Sequence, residues 1–256
     1  MTEIVGVIPA RLGSTRFPGK PLVPIRGAPM LEHVFRRTKA CRALSRVIIA
    51  TCDEEIARAA QGFAAQVVMT SAEHERASDR VAEVASQIEA DILVMVQGDE
   101  PLVRPEMIAA AVAPMVRDAS IGCVKLAGSI RSERELRDPN TIKVVTASDG
   151  RALYFSREPI PGRGNRAFST GVWRKQVCVI PFRRRALLSY ASLPRGPLEE
   201  FESIDMLRFL ENGQPVHIVL TNAETHAVDV PADLEIVSML LARDPFFVTD
   251  GAESVA

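Results

Sequence analysis

IVGVIPARLGSTRFPGKPL, residues 4–22, joins an apolar run to a polar loop rich in cations. The apolar part, residues 4–10, reads as a buried strand, and the loop behind it as a phosphate-binding segment at the strand's carboxyl end. It is not a Walker A loop, which places four residues between its glycines and closes on Lys-Ser or Lys-Thr. Here five residues separate Gly13 from Gly19 and Pro21 follows Lys20, so no hydroxyl stands beside the lysine to hold a metal. The chemistry still asks for an anion. Arg11, Arg16 and Lys20 bring three cations within ten residues, while Ser14 and Thr15 add hydroxyl donors. Several positive groups with free backbone N–H groups suit a polyphosphate, and Gly13 and Gly19 permit close backbone approach. Pro9, Pro18, Pro21 and Pro24 stiffen the segment. The competing reading of this stretch alone is a solvated basic loop between a strand and a helix.

Outward from the loop, the pattern alternates. Residues 29–41 carry Met30, Leu31, Val34 and Phe35 at helical spacing, 46–51 read as strand, and 53–63 as a helix with an acidic first turn. A strand over 65–70, a helix over 78–88 and a strand running into a polar tip over 91–101 follow. Nearly all-apolar strands separated by amphipathic helices predict an α/β fold whose mostly parallel sheet is covered on both faces. Ligands of such open sheets bind beyond the carboxyl ends of the strands, which puts loops 10–20 and 97–101 on one edge and makes them one site.

The middle is less regular. Residues 121–128 and 140–156 read as strands, the second a hairpin turning at Asp149-Gly150, and a loop rich in Gly, Arg and Pro spans 158–167. A helix over 197–211, the strand PVHIVLT and a last helix from Pro231 complete the chain. The expected organisation is one domain over 1–256 with a β-rich insertion at about 121–180 and a frayed tail over 249–256.

A chain of 256 residues that is 47% hydrophobic and 25% charged is expected to be globular, and a net charge of −1 leaves no basic field for nucleic acid or an anionic membrane. Cys41, Cys52, Cys123 and Cys178 lie far apart with no Cys-x-x-Cys, against a structural zinc or a disulfide framework. No apolar stretch reaches transmembrane length and the amino terminus does not read as a signal peptide, so a reduced, cytoplasmic, soluble protein is expected. His33, His74, His217 and His226 are isolated from any Ser or Cys motif, which gives a hydrolase triad no support.

Four further motifs bear on chemistry. In VMVQGDEPLV, 94–103, a carboxylate at the exit of a buried strand is a common seat for Mg²⁺, with Asp99 the better candidate and Glu100 a turn former before Pro101. In AVDVPADLE, 227–235, Asp229 is either a helix N-cap or a second metal ligand. In ASDRVAE, 77–83, Ser78 or Asp79 can cap a helix, and Arg80 needs an anionic partner, either a nucleotide phosphate or Glu83. In PLEEFESIDMLRFL, 197–210, Glu199, Glu202 and Asp205 form an acidic stripe, either a solvated face or a wall for sugar hydroxyls.

Together, IPARLGSTRFPGKPL, SDRVAE, VQGDEPLV, KVVTASDGRALYFSREPIP and VDVPADLE resemble the 3-deoxy-manno-octulosonate cytidylyltransferases (CMP-Kdo synthetases), over residues 4 to about 240. The resemblance implies a Rossmann-like domain with a smaller dimerisation subdomain, a homodimer, and a place in lipopolysaccharide biosynthesis. It implies that CTP and a 3-deoxy-2-ulosonic acid give a CMP-sugar and pyrophosphate, the sugar 2-hydroxyl attacking the α-phosphorus. Arg11, Arg16 and Lys20 match triphosphate-binding positions within a nucleotide site of Ala10, Gly13, Ser14, Thr15, Ser78 and Arg80, and Asp99 and Asp229 match Mg²⁺ ligands. Lys20, Arg11 and Asp99 would carry the reaction. Gln97, Arg157 and Glu202 match positions lining the sugar pocket. The departures lie there too: Ser169 stands for a family His, Trp173 for Tyr, and Asp205-Met206 for Glu-Gln. Either the same acid is held by different groups, or a modified or different ulosonic acid is accepted, a sialic-type acid among them. A catalytically silent nucleotide-binding protein of the same fold is the alternative outside enzymes.

Overall fold

The computed structural model describes residues 2–14, 16–244 and 246; Thr15 and the tail 249–256 lie outside them. Its main sheet is built from β1 (Ile4–Pro9), β4 (Arg46–Thr51), β5 (Gln66–Met69), β6 (Ile92–Val96) and β11 (Val179–Arg183), in the order β11-β6-β1-β4-β5. The first four run parallel and only β11 is antiparallel, at the edge beside β6. An edge is where Pro181, which has no N–H for a ladder bond, is tolerated. A two-stranded hairpin, β2 (Pro24–Ile25) with β3 (Ala28–Pro29), follows the first loop.

Alternation along the strands decides how the sheet is covered. Ile4 and Ile8 of β1 face a cluster with Leu31, Val34 and Phe35 of α1 (Met30–Lys39), Ile56 of α2 (Glu54–Gly62) and Ile108 of α4 (Pro105–Arg117). Val5 and Val7 face the other way, against Val81 and Val84 of α3 (Ala77–Gln87) and Leu187 and Tyr190 of α6 (Arg184–Ser192). Each such side chain, fully buried, contributes about 1.5–3 kcal/mol, so a strand apolar on both faces is stable only between two helical layers.

A second sheet has the order β12-β7-β10-β8-β9, from β7 (Val124–Ser129), β8 (Lys143–Thr146), β9 (Ala152–Ser156), β10 (Arg174–Val177) and β12 (His217–Thr221). It is antiparallel except for β7 and β12, and the Cys123–Phe182 bridge joins its start to β11. Short α5 (Glu133–Arg137) leads into it.

Three features depart from the sequence-based expectation. β11 belongs to the main sheet while β12, more than thirty residues later, belongs to the second. Helix α6 was not foreseen. The single helix expected over 197–211 is two, α7 (Pro197–Glu202) and α8 (Met206–Glu211), broken at Ser203, whose φ of 55° is left-handed. Serine carries no local signal for that conformation, so the break is imposed by tertiary contacts. Helix α9 (Asp233–Ala242) closes the described fold, and among the described residues no helix is long and apolar enough to cross a membrane.

Candidate active site

The chain leaves β1 for β4 and β5 on one side and returns to β6 on the other, so the strand order reverses between β1 and β6. A crevice opens at such a switch point. The two strand tips approach so closely that a Cβ at Gly98 would stand 3.2 Å from the Pro9 carbonyl oxygen. Asp53 accepts from the Leu12 N–H at 2.8 Å and anchors the loop's start. At its end, Gly19 takes φ of 72° and opens a short 3₁₀ turn over Lys20–Leu22, which carries Lys20 inward until it is 9% exposed. A side chain at Gly13 would meet nothing within 4 Å, so the fold itself does not require glycine there.

The loop cations meet the two carboxylates in crossed pairs. Lys20 Nζ donates to Asp99 Oδ2 at 2.9 Å and to the Val228 carbonyl at 2.8 Å. Arg16 lies 2.9 Å from Asp229 Oδ1 and donates with its other terminal nitrogen to Asn140 Oδ1, from the second-sheet side of the cleft. The Val228 N–H donates to the Asp99 carbonyl at 2.9 Å, so segment 227–229 is docked on the tip of β6. Asp229 is not the helix cap. α9 has Ala232 at its N-cap and no side-chain cap bond, while Asp233 reaches back to accept from the Asp229 and Val230 N–H groups at 2.8 and 2.9 Å, leaving the Asp229 carboxylate to the cleft.

Burial, then the charge of Asp99, pushes the Asp229 carboxyl above its ordinary range, while Arg16 and Lys20 pull it back. The same two causes raise Glu100, which is 4% exposed, to about 7. Asp99 Oδ1 is buried without a hydrogen-bond partner. Two neighbouring carboxylates, one with an unpartnered oxygen, form a donor set that a hard cation fits. No cluster of three acidic, His or Cys ligands occurs among the described residues, so a cation held by these two carboxylates would need water or substrate oxygens to complete its shell.

A cavity of about 260 Å³ opens over this edge, lined by Ala10, Arg11, Ser14, Arg16, Lys20, Arg80, Gln97 and Asp99 together with His74, Glu75, Arg76 and Ala77. A larger one, about 700 Å³, shares Arg11, Arg16, Gln97 and Asp99 and extends toward the second sheet along Asn140, Arg157, Gln176, Asp205 and Asp229. The Arg80 guanidinium donates not to Glu83 but to the Thr70 hydroxyl, the Ser71 carbonyl at 3.2 Å and Cys52 Sγ at 3.5 Å. Glu83 pairs instead with His74 at 2.5 Å. Ser78 does not cap α3; it is buried and donates to Asp205 Oδ2 at 2.5 Å.

On the second-sheet side, Arg157 lines the larger cavity while its Nε donates to the Glu202 carbonyl at 2.7 Å and its NH1 to the Pro139 carbonyl at 2.9 Å. The Glu202 carboxylate stands behind that wall, accepting from Ser156 Oγ at 2.6 Å and the Arg157 N–H at 2.9 Å. Two residues grouped with this pocket by resemblance lie elsewhere. Trp173 is buried, stacks on Phe168 at 5.5 Å and donates through Nε1 to the Pro161 carbonyl at 2.9 Å. Ser169 is exposed and lines neither cavity. Asn140, Glu75 and Arg76 are cavity residues that sequence reasoning missed. Asn140 follows Asp-Pro, where asparagine reads as a turn former, and nothing in its neighbourhood signals a partner 124 positions away.

A Rossmann-like sheet with polyphosphate-type cations and paired carboxylates at its switch point defines a nucleotidyltransferase. The cytidylyltransferase family model matches residues 5–220. A 3-deoxy-manno-octulosonate cytidylyltransferase of Geobacter metallireducens is 47% identical over 94% of this chain and 98% of its own length. One of Solibacter usitatus is 48% identical, covering 93% of this chain and 94% of its own. A solved CMP:2-keto-3-deoxy-manno-octonic acid synthetase complexed with CTP superposes with a TM-score of 0.87 at 38% identity, covering 94% of this chain and 99% of that one. The chain belongs to the cytidylyltransferase family, among the 3-deoxy-manno-octulosonate cytidylyltransferases. Enzymes of this type generally work with a divalent metal.

Proposed function

We propose that the protein transfers the CMP group of CTP to the anomeric 2-hydroxyl of 3-deoxy-D-manno-octulosonate (Kdo) or a close relative among the 3-deoxy-2-ulosonic acids, releasing pyrophosphate. The observation that carries this reading is the crossed pairing of Lys20 with Asp99 and Arg16 with Asp229 at the switch point. Each cation is held in place by a carboxylate before substrate arrives. A triphosphate supplies stronger anionic partners to Arg11, Arg16 and Lys20, and the same exchange frees Asp99 and Asp229. These two carboxylates would hold Mg²⁺, which when bound neutralises phosphate charge and lowers the pKa of a coordinated hydroxyl. Phosphoryl-type transfer needs positioning and charge neutralisation rather than a protein nucleophile. Gln97, Arg157 and Asp205 face the acid, with Glu202 fixing Arg157 from behind. The second sheet is the part we assign to a homodimer contact, and the four cysteines, free in the structure, suit the cytoplasm.

Trp173 and Ser169, at the positions where the family has Tyr and His, offer no group to either cavity, so either Kdo is held by other groups or a related ulosonic acid is accepted. The test is pyrophosphate release with CTP and Mg²⁺ held fixed and the acid varied over Kdo, its substituted relatives and sialic-type acids. Release with at least one ulosonic acid is expected, and silence across the panel would overturn the reading.

A further inference from the structure

Three acidic residues spaced by three end on three different partners rather than on one solvated face. Glu199, with no exposed surface, holds Arg208 through both carboxylate oxygens at 2.7 Å each. The remaining terminal nitrogen of Arg208 donates to Asp79 at 2.9 Å, and its guanidinium lies 4.1 Å over the Tyr190 ring. Asp205 accepts from Ser78, and Arg76 donates to Ser203 Oγ at 2.6 Å. The first turn of α3 is therefore tied at residues 76, 78 and 79 to the break between α7 and α8. That turn begins where Glu75, Arg76 and Ala77 wall both cavities, and the break carries Ser203, Ile204 and Asp205 onto the wall of the larger one only.

We propose that Arg208 is a positioning residue which, with Glu199, Asp79 and the Ser78–Asp205 bond, makes occupancy of the nucleotide cavity set the geometry of the acid-binding wall. The inference rests on the reading of the two cavities given above. A bidentate arginine–carboxylate pair fixes distance and plane together, which a point-charge lysine does not. Because the pair is buried, it cannot slacken without leaving a charge unpaired. Ser203 supplies the complementary freedom, since its left-handed backbone is held by these contacts rather than by local preference. A nucleotide that orders 75–77 thereby orders 203–205, and each ligand tightens the other by the same factor.

The test is calorimetric binding of Kdo, or of the best acid from the panel, with and without a CTP analogue whose α–β bridging oxygen is methylene. The wild type should bind the acid at least about fivefold more tightly in the presence of the analogue, the lower end of ordinary coupling. Arg208→Lys keeps the charge and loses the fork, and Asp79→Ala removes the acceptor and so cuts the link to α3. Both should reduce the ratio below about twofold, and raise KM for the acid more than KM for CTP. Circular dichroism and melting report folding; if Arg208→Lys does not fold, Asp79→Ala carries the test. A wild type without coupling, or a folded variant that keeps the full ratio, overturns the proposal. Pyrophosphate release by the wild type reports separately on the activity, so the two readings fail in distinguishable ways.

Discussion

The edge we assign to the nucleotide (the nucleotide edge) and the wall we assign to the acid (the acid-binding wall) are built from different materials. At the nucleotide edge, Asp99 sits just beyond the end of β6, and Lys20 is carried back to it by the loop that leaves β1; both strands are buried on both faces. Backbone placement does the positioning there, and the carboxylates and cations need only each other. The acid-binding wall hangs on a helix break. Glu199 uses its hydrogen bonds to hold Arg208, Glu202 to hold β9 and Arg157, and Asp205 to hold α3, so the cavity surface itself is set at one remove. Substitutions at the first edge should act on chemistry, and those at the second on recognition.

The largest effect expected is at Asp99. Asp99→Ala should lower kcat by about 10³-fold, the scale of losing one main electrostatic stabiliser, with the fold retained by circular dichroism. Turnover near the wild-type rate would abolish the contrast, because the nucleotide edge would then carry no chemistry. A smaller effect belongs to the wall. Glu202→Gln should raise KM for the acid about tenfold, the scale of one charge-assisted hydrogen bond, and leave KM for CTP unchanged. Equal shifts in both KM values would mean that the two halves are not separable in this way.

The smallest effect lies behind the nucleotide loop, at His33, and concerns stability alone. Its Nε2 is 2.7 Å from the Ile25 carbonyl in the β2–β3 hairpin, and burial, the largest influence, lowers its pKa below the ordinary 6.5. The folded protein therefore binds this proton less readily than the unfolded chain. Its contribution to stability is present above the unfolded value and is lost as pH falls through about 6.5 toward the lower folded value. His33→Gln should flatten the dependence of Tm on pH below about 6.5, measured by thermal melting. A slope as steep as the wild type's would assign it to other groups.

The nucleotide edge was legible in the sequence because its parts lie at strand ends, and strand ends can be read from apolar runs. Strand periodicity placed loops 10–20 and 97–101 on one edge, and the structure adds that this edge is the switch point between β1 and β6. Asp229 stayed ambiguous because a cap and a ligand have the same local signature. The structure removes the cap, because α9 begins with Ala232 at its N-cap, three residues beyond Asp229. The acidic stripe over 199–205 was read as either a solvated face or a wall, and it is neither in simple form. Helical periodicity assumes an unbroken helix, and the left-handed Ser203 between α7 and α8 turns the three carboxylates to different neighbours.

By itself, then, the sequence determined the α/β class, the covered parallel sheet and the polyphosphate-type loop, because these depend on short-range periodicity and on residue chemistry along a few contiguous positions. Tertiary structure alone decided which cation meets which carboxylate, that Asn140 reaches Arg16 across the cleft, that Trp173 turns away from the cavity toward Pro161, and that Arg208 binds Glu199. Each of these depends on contacts or backbone turns that no local propensity encodes. Their partners are chosen by burial, where an unpaired charge or donor is too costly to leave, rather than by spacing along the chain.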